Sequence, residues 1–184
     1  MRITITGPRS VGKTTTAILL AEQLGYDYVS GDEVMDKELK PFGGLEKCMK
    51  DERDDIINNR ILPCARKALQ QEKTIFDQAG GALTVEENNI GEEFQQLLRT
   101  KTFVIGLLPS MNDEQAIGFL FQRERHRPHF HHVSDEELKA IVQKHYRKVK
   151  QAIHEVTKHI IYTARLNPQE VIDCCKDIIK GKSL

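Results

Sequence analysis

Residues 7–15 read Gly7-Pro8-Arg9-Ser10-Val11-Gly12-Lys13-Thr14-Thr15, and they stand between a short apolar run and a longer helical pattern. This stretch matches the pattern G-x-x-x-x-G-K-[ST] in full, and its flanks predict a strand before it and a helix after it. Gly7 and Gly12 let backbone N–H groups approach a phosphate chain closely. Lys13 can reach the β- and γ-phosphates, while the positive end of the following helix faces the anion. The stretch therefore predicts a binding site for a nucleoside triphosphate.

All nine residues of this phosphate loop, 7–15, are predicted nucleotide contacts, and we expect ATP together with Mg²⁺. The hydroxyl of Thr14 is predicted to bind the metal, and Thr15 adds a phosphate contact. The motif alone leaves open a kinase, a GTPase and a motor ATPase. The sequence lacks the N-K-x-D element that reads guanine, and motor domains are usually longer. A short chain with one phosphate loop favours a small-molecule kinase.

The composition is that of an ordinary globular protein. The chain has 184 residues, with 27 basic and 27 acidic side chains, and its four cysteines form no C-x-x-C pair. This length suits one domain with its own core and free thiols. A formal net charge of zero argues against nucleic acid or an anionic membrane as partner. Without a signal-peptide pattern or an apolar run that spans a membrane, we expect a cytoplasmic monomer or small homo-oligomer.

Short β-branched runs alternate with longer periodic segments, which is typical of an α/β fold with a parallel central sheet. Five runs are predicted strands with helices on both faces: Arg2–Thr6, Tyr26–Val29, Thr74–Phe76, Thr102–Leu107 and His159–Tyr162. Six segments are predicted helices: Thr14–Gln23, Leu45–Gln71, Glu86–Arg99, Asp113–Arg123, Ser134–Val156 and Pro168–Lys180. Ser134 and the pair Asn167-Pro168 supply start signals for the last two helices. These patterns predict a three-layer P-loop NTPase fold.

One segment interrupts this alternation. Residues 123–133 are polar, basic and rich in histidine, and they lie between two predicted helices. Such a composition predicts a mobile loop. Its histidines leave three roles open, namely a metal site, contact with phosphate or substrate, and a pH-sensitive loop. They are His126, His129, His131 and His132.

Residues 24–32 read Leu24-Gly25-Tyr26-Asp27-Tyr28-Val29-Ser30-Gly31-Asp32, and the motifs from here onward follow one another as in the shikimate kinase family. The sequence resembles that family of small P-loop kinases over nearly its whole length. Asp32 corresponds to an aspartate that in the family contacts the acceptor hydroxyl. A carboxylate there can orient or deprotonate the attacking hydroxyl, and the alternative is that Asp32 only caps the next helix. Ser30 departs from the pattern, because the family has another aspartate at that position.

The run Thr74-Ile75-Phe76-Asp77 is apolar and ends in an aspartate, which is the form of a Walker B element. Asp77 is therefore predicted to lie behind the Mg²⁺ bound by Thr14, with capping of a turn as the alternative. Gly80 and Gly81 follow in a segment that resembles the family's triple-glycine loop. The resemblance implies backbone contacts to the acceptor, and an ordinary turn is the alternative.

Basic residues are predicted near the acceptor and near the phosphates. Lys50 and Arg53 are the candidates for an anionic acceptor, unless they are merely solvated, and we assign Arg53. Residues 123–130 resemble the family's lid, in which arginines close over the phosphates. The lid residues implied by this resemblance are Arg123 at the nucleotide, Arg125 in catalysis and Arg127 at the substrate, with a solvated loop as the alternative. Arg165, after the last strand, corresponds to a residue beside adenine.

One expected residue is missing. Tyr146 corresponds to a tyrosine that the family places just after its main substrate-binding arginine, yet Val142 occupies the position of that arginine. Lys144 or Arg147 could replace it only in a different helix register. A carboxylate on the acceptor would ordinarily be held by this arginine, so the identity of the acceptor is the least determined feature of the sequence.

We therefore expect a P-loop kinase that moves the γ-phosphate of ATP to a hydroxyl of a small metabolite, with shikimate as the named candidate. The predicted catalytic residues are Lys13, Asp32 and Arg125. The residues predicted to bind the acceptor are Asp32, Arg53, Gly80, Gly81 and Arg127. Two alternatives stay open: a kinase of the nucleoside monophosphate type, and a non-catalytic ATP-binding regulatory protein.

Overall fold

The computed structural model describes residues 1–127, 130 and 133–181. Within them, the chain forms one five-stranded parallel sheet with the strand order β2-β3-β1-β4-β5. The strands are β1 (Arg2–Gly7), β2 (Asp27–Ser30), β3 (Thr74–Ala79), β4 (Phe103–Leu108) and β5 (Ile160–Tyr162). All five predicted strands are present, so the predicted α/β architecture is confirmed.

Eight α-helices lie within the described residues. They are α1 (Lys13–Leu24), α2 (Gly31–Leu39), α3 (Leu45–Lys50), α4 (Asp54–Ala68), α5 (Ile90–Lys101), α6 (Asp113–Glu124), α7 (Asp135–Val156) and α8 (Pro168–Gly181). α1 packs against α8, and α5 packs against α7. No described helix is both long enough and apolar enough to cross a membrane.

The middle of the sheet forms the core. Ile3 and Ile5 of β1, and Ile105 and Leu107 of β4, have no exposed surface. Strands buried in this way need cover on both faces, which the helices provide. Full burial of each such side chain is worth about 1.5–3 kcal/mol, so these two strands fix the sheet on which the site is built.

The single helix predicted over 45–71 is wrong, because the chain turns in its middle. Glu52 has a φ of 54°, in the left-handed region that interrupts a right-handed helix. The backbone N–H of Arg53 donates to the carbonyl of Cys48 (2.9 Å), which closes the end of α3 before α4 begins. The helix α2 was also not among the predicted helices, and it carries one wall of the site described below.

The two predicted helix starts are confirmed. The Ser134 hydroxyl accepts from the backbone N–H of Glu137 (3.3 Å), and the Glu137 carboxylate accepts from the N–H of Ser134 (3.2 Å). At α8, Asn167 Oδ1 accepts from the N–H of Glu170 (3.0 Å). Each contact satisfies a backbone donor that a helix terminus would otherwise leave unpaired.

The sheet brings three chain segments to one edge. Gly7 lies opposite Ala79, and Ser30 lies opposite Asp77, so the carboxyl ends of β1, β2 and β3 are adjacent. In parallel α/β sheets, ligands bind at this edge. The segments that follow these strands hold the phosphate loop, Asp32 and Gly80, respectively.

Candidate active site

The phosphate loop joins the end of β1 to the start of α1. Gly12 caps α1 with a φ of 105°, a conformation that glycine adopts without strain. Ser10 also has a positive φ, 62°, although it carries a side chain. The Lys13 Nζ donates to the carbonyl of Pro8 (2.9 Å), so the lysine folds back over its own loop. This arrangement surrounds a space for phosphate with backbone N–H groups and one ammonium group.

Lys13 is a basic residue in a partly buried position. Burial lowers the pKa of its ammonium group, and the negative charges of Asp77 and Asp32 oppose that shift. The charges of Arg127 and Arg9 lower the pKa further. Both carboxylates and both arginines therefore lie within electrostatic reach of Lys13.

Thr14 and Asp77 lie side by side, as predicted for a magnesium site. The Thr14 hydroxyl donates to Asp77 Oδ2 (2.7 Å), and the Tyr28 hydroxyl donates to the same oxygen (3.3 Å). Asp77 is only 8% exposed, and burial raises its pKa, while the hydrogen bond from Thr14 and the charge of Lys13 oppose the rise. The Tyr28 contact was not predicted from the sequence. Two hard oxygen ligands beside a phosphate loop fit the ligand preference of Mg²⁺.

A cleft of about 1650 Å³ opens at this edge of the sheet. Single ligand pockets usually measure roughly 300–1,000 Å³, so this cleft has room for two ligands. Its phosphate end is lined by Arg9, Ser10, Gly12, Lys13, Thr14 and Thr15. Gly7, Pro8 and Val11 support the loop from below as buried residues. The other end lies between α2, α3, α4 and the end of β3.

Asp32 lies on the wall of the cleft, exposed in the first turn of α2. The alternative that it caps this helix is wrong, because Ser30 does so: its hydroxyl accepts from the backbone N–H of Glu33 (3.2 Å). Ser30 thus has a structural role at the position where an aspartate was expected. Asp32 keeps its carboxylate free for the cleft.

Gly80 and Gly81 differ in their surroundings. A Cβ atom at Gly80 would lie 2.5 Å from Val149 Cγ1 and 2.7 Å from the Gly7 carbonyl, so the absence of a side chain allows the phosphate loop, β3 and α7 to pack. At Gly81 the nearest atom would be His145 Nε2, at 3.7 Å. Both glycines and His145 line the cleft.

His145 is a cleft residue that sequence reasoning missed. Burial lowers the pKa of its imidazole to about 4, and the charges of Arg9 and Lys13 contribute. At neutral pH it is an uncharged imidazole on the cleft wall beside Gly81, within electrostatic reach of Arg9 and Lys13. Val142, at the position of the expected arginine, is instead 6% exposed and belongs to the core. The side chain that α7 contributes to the cleft is therefore the neutral imidazole of His145 and not an arginine.

The wall formed by α4 is mostly apolar. Ile57, Asn58 and Ile61 line the cleft there. Lys37 lines it from α2, Lys50 from α3, and Lys40 from the turn between these two helices. Arg53 lies outside the cleft, with its guanidinium over the Phe42 ring (5.9 Å). The break between α3 and α4 explains the difference, because Arg53 sits in the turn itself.

The structure separates the lid arginines. Arg123 and Arg127 line the cleft, and an Arg123 Nη atom donates to the Ser10 carbonyl (3.0 Å). Arg125 points elsewhere, with its guanidinium 3.8 Å from the Asp135 carboxylate and 5.8 Å from the Phe121 ring centre. Arg165 is exposed after β5 and does not line the cleft. The structure thus directs Arg125 away from the phosphate loop, while the place of Arg165 beside adenine stays a prediction.

Part of the predicted lid falls outside the residues that the structure describes. His129, His131 and His132 lie outside the described residues, as does Pro128. Among the residues that are described, no group of three or more His, Cys, Asp or Glu side chains is arranged to hold a metal ion. The metal role of the histidine segment therefore gains no support from its described member, His126.

Glu124 is a second residue that the sequence did not reveal. It ends α6 and is only 2% exposed, although it is charged. The Ser10 hydroxyl donates to its Oε1. Arg9 approaches Oε2 at 3.9 Å, and Arg127 approaches Oε1 at 3.7 Å. No sequence pattern reveals this buried carboxylate, because two of its partners, Arg9 and Ser10, come from the phosphate loop more than 110 positions earlier in the chain.

The fold and this site define a P-loop kinase of small molecules, and comparisons with known proteins agree. The shikimate kinase family profile matches residues 9–180, so the chain belongs to the shikimate kinase family. A structure of shikimate kinase from Bacteroides thetaiotaomicron superimposes with a TM-score of 0.78 at 16% identity, covering 98% of both chains. Shikimate kinase from Acinetobacter baumannii, in complex with shikimate, gives 0.73 at 19% identity over 100% of this chain and 94% of that one.

A nucleotide kinase is similar over a shorter stretch. Cytidylate kinase from Natronomonas pharaonis is 44% identical over 66 residues, which span 33% of this chain and 33% of that protein. The chain therefore matches about a third of the length of this curated relative. This similarity is local, whereas the family match extends over most of the chain.

Proposed function

We propose that this protein transfers the γ-phosphoryl group of ATP to a hydroxyl of a small acceptor such as shikimate. One observation carries the proposal: Lys13 of the phosphate loop and Asp32 of α2 line the same cleft. The negative charge of Asp32, like that of Asp77, raises the pKa of Lys13 against the lowering caused by burial. Phosphoryl transfer depends on such proximity, because catalysis rests on positioning and on charge stabilisation.

In the proposed reaction, Asp32 accepts the proton of the acceptor hydroxyl as its oxygen attacks the γ-phosphorus. The bond from that phosphorus to the β–γ bridging oxygen breaks, and ADP leaves with the electron pair. Lys13 and the N–H groups of the loop stabilise the charge that develops. Arg127 takes the role that the sequence suggested for Arg125, since it is Arg127 that lines the cleft.

We assign the metal site to the Thr14 hydroxyl, with Asp77 behind it. Support comes from the 2.7 Å contact between Thr14 Oγ1 and Asp77 Oδ2, at the mouth of the phosphate loop. Mg²⁺ held by these residues would neutralise negative charge on the phosphate chain. The Tyr28 hydroxyl, 3.3 Å from the same carboxylate oxygen, fixes the orientation of Asp77.

Two observations support an acceptor of the shikimate type. The family match covers residues 9–180, and the structural neighbour from Acinetobacter baumannii contains shikimate. The arginine expected on α7 is absent, but Lys37, Lys40 and Lys50 line the acceptor end of the cleft. These lysines are the source of positive charge for a carboxylate, and they share this part of the cleft with the acidic side chains of Glu33, Asp36, Glu46 and Asp54.

A nucleoside monophosphate is the second candidate acceptor. Leu45, Met49, Ile57, Ile61 and Phe76 give the acceptor end an apolar lining, which suits the faces of a planar base. The local 44% identity with a cytidylate kinase also favours it. Shikimate would pair its carboxylate with the lysines of this cleft, and much of the apolar lining of the cleft would then have no contact with the acceptor.

The deciding experiment is ATP consumption by the purified protein with Mg²⁺, measured against shikimate, gluconate and the nucleoside monophosphates. We expect one acceptor class to raise consumption well above the rate without acceptor, and mass spectrometry then identifies the phosphorylated product. A protein that binds ATP but consumes it at the same rate with every acceptor would be a regulatory ATP-binding protein.

We also propose that the chain acts as a single catalytic domain in the cytoplasm. All four cysteines are free thiols in the structure. This supports a reducing compartment, where disulfides are rare. Fractionation of cells that express the full chain, followed by immunoblotting, tests the location.

A further inference from the structure

Glu124 is unusual because a nearly fully buried carboxylate stands beside a site for polyanionic phosphates. Only 2% of the residue is exposed. Its Oε2 atom is buried and has no hydrogen-bond partner among the described residues. An isolated negative charge is costly to bury, so groups of opposite charge must compensate it. It would also repel phosphate unless positive groups stood between the two.

Two arginines supply that compensation from different parts of the chain. Arg9 belongs to the phosphate loop, and its Nη1 lies 3.9 Å from Glu124 Oε2. Arg127 belongs to the predicted lid, and its Nε lies 3.7 Å from Glu124 Oε1. Both guanidinium groups line the cleft, and each is close to half exposed toward it. Glu124 thus lies behind the arginines and away from the space for phosphate.

The position of Arg9 is further restricted. Its guanidinium lies over the Phe130 ring, 5.7 Å from the ring centre, and Phe130 also lines the cleft. The ring and the carboxylate together hold a long, flexible side chain in one place. Arg9 and Arg127 both act electrostatically on Lys13, which places them next to the phosphate end of the cleft.

Glu124 also supports the loop itself. Ser10 has a left-handed backbone conformation, which is uncommon for a residue with a side chain. Its hydroxyl donates to Glu124, and its carbonyl accepts from Arg123 (3.0 Å). The start of the predicted lid is therefore tied to the strained position of the phosphate loop.

We propose that Glu124 is a positioning residue for phosphoryl transfer, which holds Ser10 in the phosphate loop and directs Arg9 and Arg127 toward the transferred phosphate. Because the two arginines are ordered before the reaction, their positive charge already lies where negative charge develops in the transition state. Glu124 itself touches neither ATP nor the acceptor. This role rests on the phosphoryl transfer proposed above, and its test includes a measurement that needs no acceptor.

The variant Glu124→Gln removes only the negative charge, because glutamine keeps the size of the side chain and an oxygen that can accept a hydrogen bond from Ser10. We expect kcat to fall about tenfold, as for a loss of positioning, with the KM for the acceptor changed by less than about twofold. Glu124→Asp, which restores the charge, should recover part of the loss. The matched control is Glu114→Gln, an exposed glutamate on the same helix α6.

A double-mutant cycle then shows whether Glu124 acts through the arginines. We expect Arg127→Gln to weaken binding of a non-hydrolysable ATP analogue about tenfold in the wild-type background and about threefold or less in the Glu124→Gln background. The same cycle with Arg9→Gln should also be non-additive. Because the cycle measures binding of the analogue alone, it stays informative if no acceptor is phosphorylated and the proposed function fails.

Two results would overturn the proposal. One is a kcat for Glu124→Gln within twofold of wild type, with a normal melting temperature. The other is additive losses of analogue binding in both cycles, which would make Glu124 a residue of fold stability only. If Glu124→Gln fails to fold, the cycles are repeated with Glu124→Asp, for which non-additive losses support the proposal and additive losses overturn it.

Discussion

The two ends of the cleft are built in different ways. The phosphate end is built around nine consecutive residues, 7–15, and depends on their backbone conformation and on side chains within the same stretch, chiefly Lys13, Arg9 and Thr14. The acceptor end is assembled from α2, α3, α4 and the end of β3, and it depends on side chains. A local, backbone-based site shows itself as a sequence motif, whereas a site assembled from several elements does not. Substitutions of Lys13, Asp77, His145 and the pair Lys50 and Arg53 test this difference, beginning with the largest expected effect.

Lys13→Ala removes the ammonium group of the phosphate loop and leaves Arg9 as the charged side chain of that loop. We expect kcat/KM to fall by about 10²–10³-fold, because the lysine stabilises charge on the transferred phosphoryl group. Burial lowers the pKa of this lysine, so the folded state holds its charge less favourably than the unfolded chain, and the variant should not have a lower melting temperature than wild type. The exposed Lys139 gives the control Lys139→Ala. Wild-type turnover in Lys13→Ala would contradict the assigned phosphate site.

Asp77→Asn tests the metal assignment. We expect the Mg²⁺ concentration for half-maximal activity to rise about 10- to 100-fold, the range seen when residues behind a metal ligand are lost. Unchanged dependence on Mg²⁺ would place the metal elsewhere.

The same variant carries a stability prediction with a definite sign. Burial raises the pKa of Asp77 above its ordinary value of 3.8, so the folded protein binds this proton more tightly than the unfolded chain. The stability of wild type relative to Asp77→Asn should therefore fall as pH rises above about 3.8, and then level off above the folded pKa. Denaturant unfolding at several pH values measures this difference, and a rise with pH would contradict it.

His145→Leu tests the acceptor end. We expect the KM for the acceptor to rise about fivefold while the KM for ATP stays within twofold, because one neutral hydrogen bond is lost. Its pKa of about 4 keeps the imidazole uncharged at neutral pH. The variant should therefore keep the wild-type shape of the kcat profile between about pH 6 and 8. Equal changes in both KM values would show that His145 acts at the phosphate end instead.

The pKa of His145 also predicts a stability effect. The unfolded chain, with an ordinary histidine pKa of 6.5, binds this proton more readily than the folded protein, whose pKa is about 4. His145 therefore destabilises the fold progressively as pH falls from 6.5 toward 4, and His145→Leu should lose less stability over this range. Parallel pH curves for the two proteins would contradict the lowered pKa.

The smallest effect distinguishes two neighbouring cations. Lys50 lines the cleft, whereas Arg53 lies over the Phe42 ring outside it. We expect Lys50→Ala to raise the KM of an anionic acceptor about two- to threefold, and Arg53→Ala to change it by less, because exposed charge pairs are weak. A larger effect of Arg53→Ala would restore the assignment made from the sequence.

The sequence alone determined the phosphate loop, the five parallel strands, the adjacent pair Thr14 and Asp77, and the start signals of α7 and α8. These features depend on local patterns: glycine spacing, β-branched runs, an aspartate in an apolar strand and helix caps. The family resemblance extended this prediction to Asp32, which the structure places on the cleft wall.

Only the tertiary structure decided which side chains complete the cleft. Glu52 breaks the long predicted helix and leaves Arg53 outside, while the packing of α7 buries Val142 and turns His145 inward. Arg125 and Arg127 are two residues apart, yet one pairs with Asp135 and the other faces the cleft. Glu124 meets Ser10, 114 positions earlier in the chain. Such contacts depend on the packing of distant segments, and no local spacing of residues encodes them.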